Sequence, residues 1–194
     1  MTSYEKNNYG SVLRALVLGR QPQLVVECGV LDGYSAFHIS NALRFNRKKR
    51  GIRSIFFAYD LFEDYEYHHG NMEDVMEMLK TSNLDWDCNL FKANAFEIYE
   101  DYEDNTIDFL HFDISNDGDI LLRMLDTWGK KIHNEGIIAF EGGSIERDQG
   151  WIKKYNKKPI RPELINNPDV YNNWDIQIFD PFPSMTLLWR KNWI

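Results

Sequence analysis

One stretch constrains the chain more than any other. Leu24-Val25-Val26-Glu27-Cys28 is an apolar run of strand length that closes beside an acid. It passes through Gly29 and Gly33, four residues apart, and gives way to Ala36, Ile39, Ala42 and Leu43 at helical spacing. The pattern predicts strand, tight loop and helix. Glycines in such a loop permit positive φ and carry no Cβ, so backbone groups can approach a ligand lying across the carboxyl end of the strand. A strand-to-helix turn also uses glycine for purely structural reasons, so the meaning of the motif depends on the rest of the chain.

The rest of the chain repeats the alternation. Val12, Leu13, Leu16 and Val17 mark a helix of about 10–19, with Gly19 as its expected stop and one edge of the first strand as its expected seat. The helix after the glycine loop is expected to run from Tyr34 to about Phe45. Arg44, Arg47, Lys48, Lys49, Arg50 and Arg53 come next, as cations that favour a helix C-terminus or as a phosphate-binding group. Ser54 to Asp60 reads as a second strand, and Met72, Val75, Met76 and Leu79 as an amphipathic helix. Asn89 to Ala93 reads as a third strand, and Ile107 to Asp113 as a fourth. Asp117 or Asp119 caps a helix carrying residues from Ile120 to Ile132 on one side, and Gly136 to Glu141 is a fifth strand. Such alternation implies right-handed βαβ crossovers and a parallel sheet. Trp174–Phe179 and Met185–Arg190 have no room for a helix between them, so they must pair as an antiparallel hairpin.

The expected architecture is therefore α/β, a Rossmann-like three-layer sandwich around a mostly parallel seven-stranded sheet with an antiparallel C-terminal hairpin strand. At 194 residues one domain, 1–194, is the economical organisation, able to bury roughly 70% of its unfolded surface without a metal or disulfide staple. A net charge of -8 disfavours nucleic acid as a partner, and no apolar run reaches membrane-spanning length or forms a signal peptide. Cys28 and Cys88 are the only cysteines, which fits reduced thiols and a cytoplasmic location.

Four strands end in or beside Glu27, Asp60, Asp113 and Glu141. Ligands of open α/β sheets bind at the carboxyl ends of strands, so the four acids are expected around one crevice. Clustered carboxylates repel unless a ligand brings positive charge or hydroxyl groups to them.

These residues resemble the class I S-adenosylmethionine-dependent methyltransferases over essentially the whole chain. Glu27-x-Gly29-x-x-x-Gly33-x-Ser35 is similar to the family's first motif, which wraps the methionine part of the cofactor. Asp60, followed by Leu61, matches the acid that takes both ribose hydroxyls, and Asn94-Ala95-Phe96 falls where the family places residues around the adenine. Ile107 to Asp113 is similar to a strand of small-molecule O-methyltransferases of the macrolide and sugar-tailoring type. The resemblance implies S-adenosyl-L-methionine as cofactor, bound by Glu27, Gly29, Gly33, Ser35, Asp60, Leu61, Asn94, Ala95 and Asp113. It also implies a small-molecule or saccharide hydroxyl as methyl acceptor, and it is compatible with a homo-oligomer. The alternatives are a dinucleotide oxidoreductase, whose G-x-G-x-x-G spacing this loop lacks, and a non-catalytic cofactor-binding member of the fold.

Methyl transfer is an in-line displacement, so alignment and exclusion of water come first, and a hydroxyl acceptor also asks for a base. Glu141, Asp113 and His69 are the candidates. His111 lies within a strand and reads as a core histidine. His68-His69 come after the aromatic, acidic stretch Phe62 to Tyr67, a candidate lid. Metal-dependent relatives carry an acid-amide or acid-acid pair after the fifth strand. Here the position reads Glu141-Gly142, so no metal is expected, with Asp113, Glu141 and Asn116 as the alternative oxygen set. Arg147 reads either as an anion-binding group for the acceptor or as a partner of Glu146 or Asp148. Trp151, Lys153, Lys154, Tyr155, Lys157, Lys158 and Arg161 form a basic, aromatic stretch, either substrate-binding or ordinary surface. Asp60, at a strand end over a crevice, is expected either to take both ribose hydroxyls and have no buried protein partner, or to cap a loop or pair with a neighbouring base.

Overall fold

A computed structural model describes residues 5–66, 70–181 and 184–191. The chain divides into two compact units, Met1–Ile98 and Tyr99–Ile194. The fold is α/β, with a seven-stranded, mostly parallel sheet whose C-terminal strands are antiparallel.

The first unit runs α1 (Tyr9–Arg20), β1 (Leu24–Cys28), α2 (Tyr34–Arg50), β2 (Ile55–Asp60), α3 (Met72–Thr81), β3 (Asn89–Lys92) and α4 (Ala95–Ile98). Its strands lie in the order β3-β2-β1 and pair in parallel, Glu27 opposite Ala58 and Asp60 opposite Lys92. Val25, Val26 and Cys28 are fully buried, as expected of a strand covered on both faces. Gly19 does not stop α1. The left-handed residue after the helix is Gln21 (φ 55°), whose N–H bonds the Val17 carbonyl. The basic run lies inside α2 except for Arg53: the helix continues to Arg50, with Gly51 as its cap at φ 72°, so four of those cations occupy the last turn, where the dipole favours them. In α3 the buried residues are Val75 and Leu79, while Met76 points to solvent.

Helix α1 packs on α2, where the sequence pattern suggested a strand edge. Buried Asn46 donates to the Val17 carbonyl at 3.0 Å, and Arg14 Nε donates to Asn41 at 3.2 Å. Gly10 lets the helices close on the His38 ring, since a Cβ there would lie 2.2 Å from its Cδ2.

The second unit runs β4 (Ile107–Phe112), α5 (Gly118–Thr127), β5 (Ile132–Glu141), α6 (Ile145–Tyr155), α7 (Ile160–Asn166), α8 (Pro168–Tyr171), β6 (Trp174–Phe179) and β7 (Met185–Arg190). Its strand order is β4-β5-β7-β6. β4 and β5 are parallel, and β7 runs antiparallel to both β5 and β6. Asp117 caps α5 by accepting from the Asp119 N–H at 2.9 Å. The helix ends at Thr127, earlier than its apolar pattern suggests, because Ile132 already belongs to β5. Trp128 is fully buried between them, with Tyr99 and Tyr102 against its ring.

His38 supplies a pH prediction. Half-burial, reinforced by Arg14, holds its pKa below the ordinary histidine value of 6.5. The unfolded chain therefore binds the proton more readily, so this contribution to stability is present above about pH 6.5 and is lost as pH falls toward the folded pKa. His38→Gln should reduce the decline of melting temperature on acidification from pH 7.5 to 5.5, measured against the wild-type protein over those same two pH values (about one unit either side of the reference pKa).

Candidate active site

The loop after β1 is built on one carboxylate. Gly29 continues the ladder by donating to the Tyr59 carbonyl at 2.9 Å, then turns at φ 93°. The next two N–H groups, of Val30 and Leu31, both reach Asp60 Oδ2, at 2.6 and 2.9 Å. Phe62 N–H meets Asp60 Oδ1 at 2.8 Å. Leu31 sits at φ 55°, a strained conformation for a leucine, and its side chain is 40% exposed. Gly33 at φ 84° then opens α2, its N–H on the Val30 carbonyl and its own carbonyl accepting from Phe37. A Cβ on Gly33 would lie 2.6 Å from Met78 Cε, so α3 packs directly on the turn.

Asp60 is thus not the partnerless acid that its strand-end position suggested. Three backbone donors converge on it, and without them the loop would lose its anchor. Other residues expected to hold the cofactor lie nearby. Glu27 is fully buried, Ser35 is nearly so in the first turn of α2, and Leu61 is 36% exposed. Asn94 caps α4, its Oδ1 accepting from Phe96 N–H at 3.0 Å and its Nδ2 donating to Glu97, while Ala95 is buried. Burial, with Glu27 and Asp60 adding to it, pushes the Cys28 thiol up, and burial does the same for Cys88. Both thiols are free and, protonated in this way, poor nucleophiles.

Two features here escaped sequence reasoning. Gly70 lies against the loop, for a Cβ on it would stand 2.5 Å from the Leu31 carbonyl oxygen. Glu63, in the candidate lid, accepts from Met72 N–H at 2.8 Å and pairs with Lys92 at 2.6 Å, which holds its pKa down at about 2. The first turn of that stretch is therefore pinned to the start of α3 and the end of β3. His68 and His69 lie outside the described residues.

In the second unit Asp113 comes directly after β4 and is half-buried. Glu141 ends β5 and is buried, but its carboxylate is committed. Oε1 accepts from Arg147 Nη2 at 2.8 Å, and Oε2 accepts from Asn116 Nδ2. Arg147 is 5% exposed and bridges neither Glu146 nor Asp148, the partners suggested by proximity in sequence. It is delivered to Glu141 by the turn between them. Gly142 and Gly143 adopt φ 111° and 105°, Ser144 caps α6 by accepting from Arg147 N–H, and Ser184 Oγ accepts from Ser144 N–H. Thr186 donates to the Gly142 carbonyl at 2.7 Å, and a Cβ on Gly143 would lie 2.3 Å from Thr186 Oγ1. Ser184 and Thr186 gave no signal in the sequence, since their role depends on a strand that is distant along the chain.

The oxygen set Asp113, Glu141 and Asn116 does not fit a divalent cation as it stands. Glu141 faces a guanidinium, and Asn116 presents its amide N–H₂ to Glu141 rather than its oxygen. Of the basic stretch, Lys157 donates to Ser115, Lys158 pairs with Asp119 and Glu163, and Arg161 pairs with Asp180. These contacts serve packing within the unit. His111 is fully buried in β4, a core position.

Two substitutions probe these anchors. Asp60→Ala should lower the melting temperature of the ligand-free protein, reflecting a loss of about 1–3 kcal/mol from backbone donors left without their acceptor. Arg147→Met should cost more, about 3–5 kcal/mol, because it leaves Glu141 buried without its counter-charge. Denaturant unfolding of Arg147→Met alone and combined with Glu141→Gln should show the double variant to be the more stable of the two.

Comparison with known proteins bears on what such a site does. Residues 26–141 match the model of a family described as a methyltransferase domain, a span from β1 to the last residue of β5. No curated protein matches the chain. Among solved structures, a methyltransferase from Geobacter sulfurreducens is similar at 20% identity and a TM-score of 0.66, the match covering 95% of this chain and 79% of that one. A methyltransferase from Podospora anserina bound to S-adenosylhomocysteine is similar at 16% identity and a TM-score of 0.63, over 94% and 78%. An O-methyltransferase from Bacillus cereus in complex with S-adenosylhomocysteine is similar at 14% identity and a TM-score of 0.64, over 95% and 81%.

Proposed function

The chain belongs to the methyltransferase-domain family, and from that premise we propose that it is an S-adenosylmethionine-dependent O-methyltransferase acting on a small-molecule or saccharide hydroxyl. The observation that carries the reading is the glycine loop tied to Asp60. It supplies a shaped backbone, with glycines at both ends of the turn, at the end of β1 beside an acid able to accept from a hydroxyl. Each carboxylate oxygen has about two acceptor sites. Oδ2 is filled by Val30 and Leu31, whereas Oδ1 holds only Phe62, so Asp60 can take one ribose hydroxyl without disturbing the loop. A second requires one loop N–H to yield.

Glu27, Gly29, Gly33, Ser35, Asp60, Leu61, Asn94 and Ala95 are the residues proposed to hold the cofactor, which supplies a methyl group on a sulfonium centre. The chain's own task is alignment, exclusion of water and removal of the acceptor's proton. Glu141 is a poor base, since taking a proton would uncouple it from Arg147. Asp113 is the base proposed instead among the described residues. With Glu141 neutralised by Arg147, the reaction is proposed to need no divalent metal. Two free thiols support a reducing, cytoplasmic setting. Among the described residues no helix is long and apolar enough to cross a membrane.

Calorimetry should show S-adenosylhomocysteine binding with micromolar affinity and NAD not binding. NAD binding without a response to S-adenosylhomocysteine would contradict the assignment. Turnover of an acceptor, once found by screening, should survive EDTA, and activity lost to chelation and restored by magnesium would contradict metal independence.

A further inference from the structure

The basic run inside α2 is not absorbed by methyl transfer. Arg44, Arg47 and Lys48, with Asn83 and Trp86 from the turn after α3, line a groove of about 630 Å³. Six of the chain's 22 Lys and Arg residues fall within positions 44–53, in a protein of net charge -8, so this end of α2 is a local concentration of positive charge. Trp86 is 89% exposed, the most exposed large hydrophobic residue described.

The cations differ in how they are held. Arg44 donates to the carbonyls of Ser82 and Asn83, each at 3.2 Å, which fixes its guanidinium without neutralising it. Arg47 grips Asp87 through both carboxylate oxygens, at 2.9 and 2.8 Å. Lys48 makes no ion pair among the described residues. None of the residues that line the groove is acidic; Asp85 is exposed next to Trp86 in the chain, and Asp87 is already paired with Arg47. The balance is positive, and an indole face stands open next to it.

A fixed guanidinium, a free ammonium and an uncovered indole suit a ligand that joins a flat ring to phosphate. Stacking on an aromatic side chain tolerates any base, and Arg and Lys take phosphate oxygens. Outside positions 44–53 the chain carries 16 Lys and Arg (22 less 6) against 30 Asp and Glu, a balance that disfavours a polynucleotide backbone. We propose that this groove binds a nucleotide, with its base on Trp86 and its phosphates on Arg44 and Lys48. The site is separate from the glycine loop. Lys48 lies fifteen residues along α2 from Gly33, roughly 22 Å at 1.5 Å per residue. It does not rest on the methyltransferase reading.

The test is calorimetric titration of the full chain with GDP at low salt, in excess S-adenosylhomocysteine so that the glycine-loop site does not report. GDP should bind saturably, and Trp86→Ala and Lys48→Glu should each weaken it by at least about fivefold. Both positions are on the surface, so both variants should keep the wild-type melting temperature and affinity for S-adenosylhomocysteine. Pyrophosphate should bind more weakly than GDP, and single-stranded oligothymidylate no more tightly. Absence of GDP binding, or affinity indifferent to either substitution, overturns the proposal. Equal binding of pyrophosphate would reduce the groove to a phosphate site, and tighter binding of the oligonucleotide would make it a nucleic-acid surface; either result also overturns it.

Discussion

The carboxylate of Asp60 organises the first unit. Two consecutive N–H groups of the glycine loop and one from the chain beyond β2 meet on it, so the end of one strand fixes the turn leaving its neighbour. A hydrogen bond to a charged acceptor is about twice as strong as a neutral one, and here two of them, from Val30 and Leu31, hold Leu31 in a left-handed conformation that it would not keep alone. Gly70 and α3 close around the same turn, so the loop is packed as well as hydrogen-bonded. A ligand that needs shaped backbone at this strand end then finds it already formed, and little ordering entropy opposes binding.

Two of the strand-end acids, Asp60 and Glu141, are held in different ways. Asp60 is met by neutral backbone donors and keeps an acceptor site on Oδ1. Glu141 is met by a guanidinium and an amide and keeps little. A buried ion pair contributes modestly to stability but is costly to break, so it favours one arrangement of the turn that leaves β5. That turn, with two glycines at positive φ and Ser144 as helix cap, delivers Arg147 back to the strand it has just left. The proposed division of labour rests on this contrast: hydroxyl recognition at Asp60, and charge neutralisation at Glu141 in place of a metal.

Much of the fold was legible in the sequence, because strand period, helix period and glycine position are local. The seven strands, the terminal hairpin and the Asp117 cap all come from short windows. What could not be read is nonlocal. Gly19 looked like a helix stop, yet α1 extends to Arg20 and Gln21 takes the left-handed conformation. Arg147 looked like a partner for its sequence neighbours, but those two are exposed or engaged elsewhere, and Asp148 accepts from the first N–H groups of α7. Asp60 looked open because a strand end faces a crevice, and sequence alone does not say how far a loop will fold back to fill it. The resemblance to methyltransferases pointed to positions around the loop and was silent on what holds them.

The central claim is that Asp60 holds the glycine loop before any ligand arrives. Amide hydrogen exchange at Val30 and Leu31, read by NMR on the ligand-free protein, tests it most directly. Both amides should be protected in the wild-type protein and exchange faster in Asp60→Ala, while amides in the middle of β1 keep their rates. Equal exchange at Val30 and Leu31 in the two proteins would contradict the account, because it would mean that something other than this carboxylate keeps the loop in place.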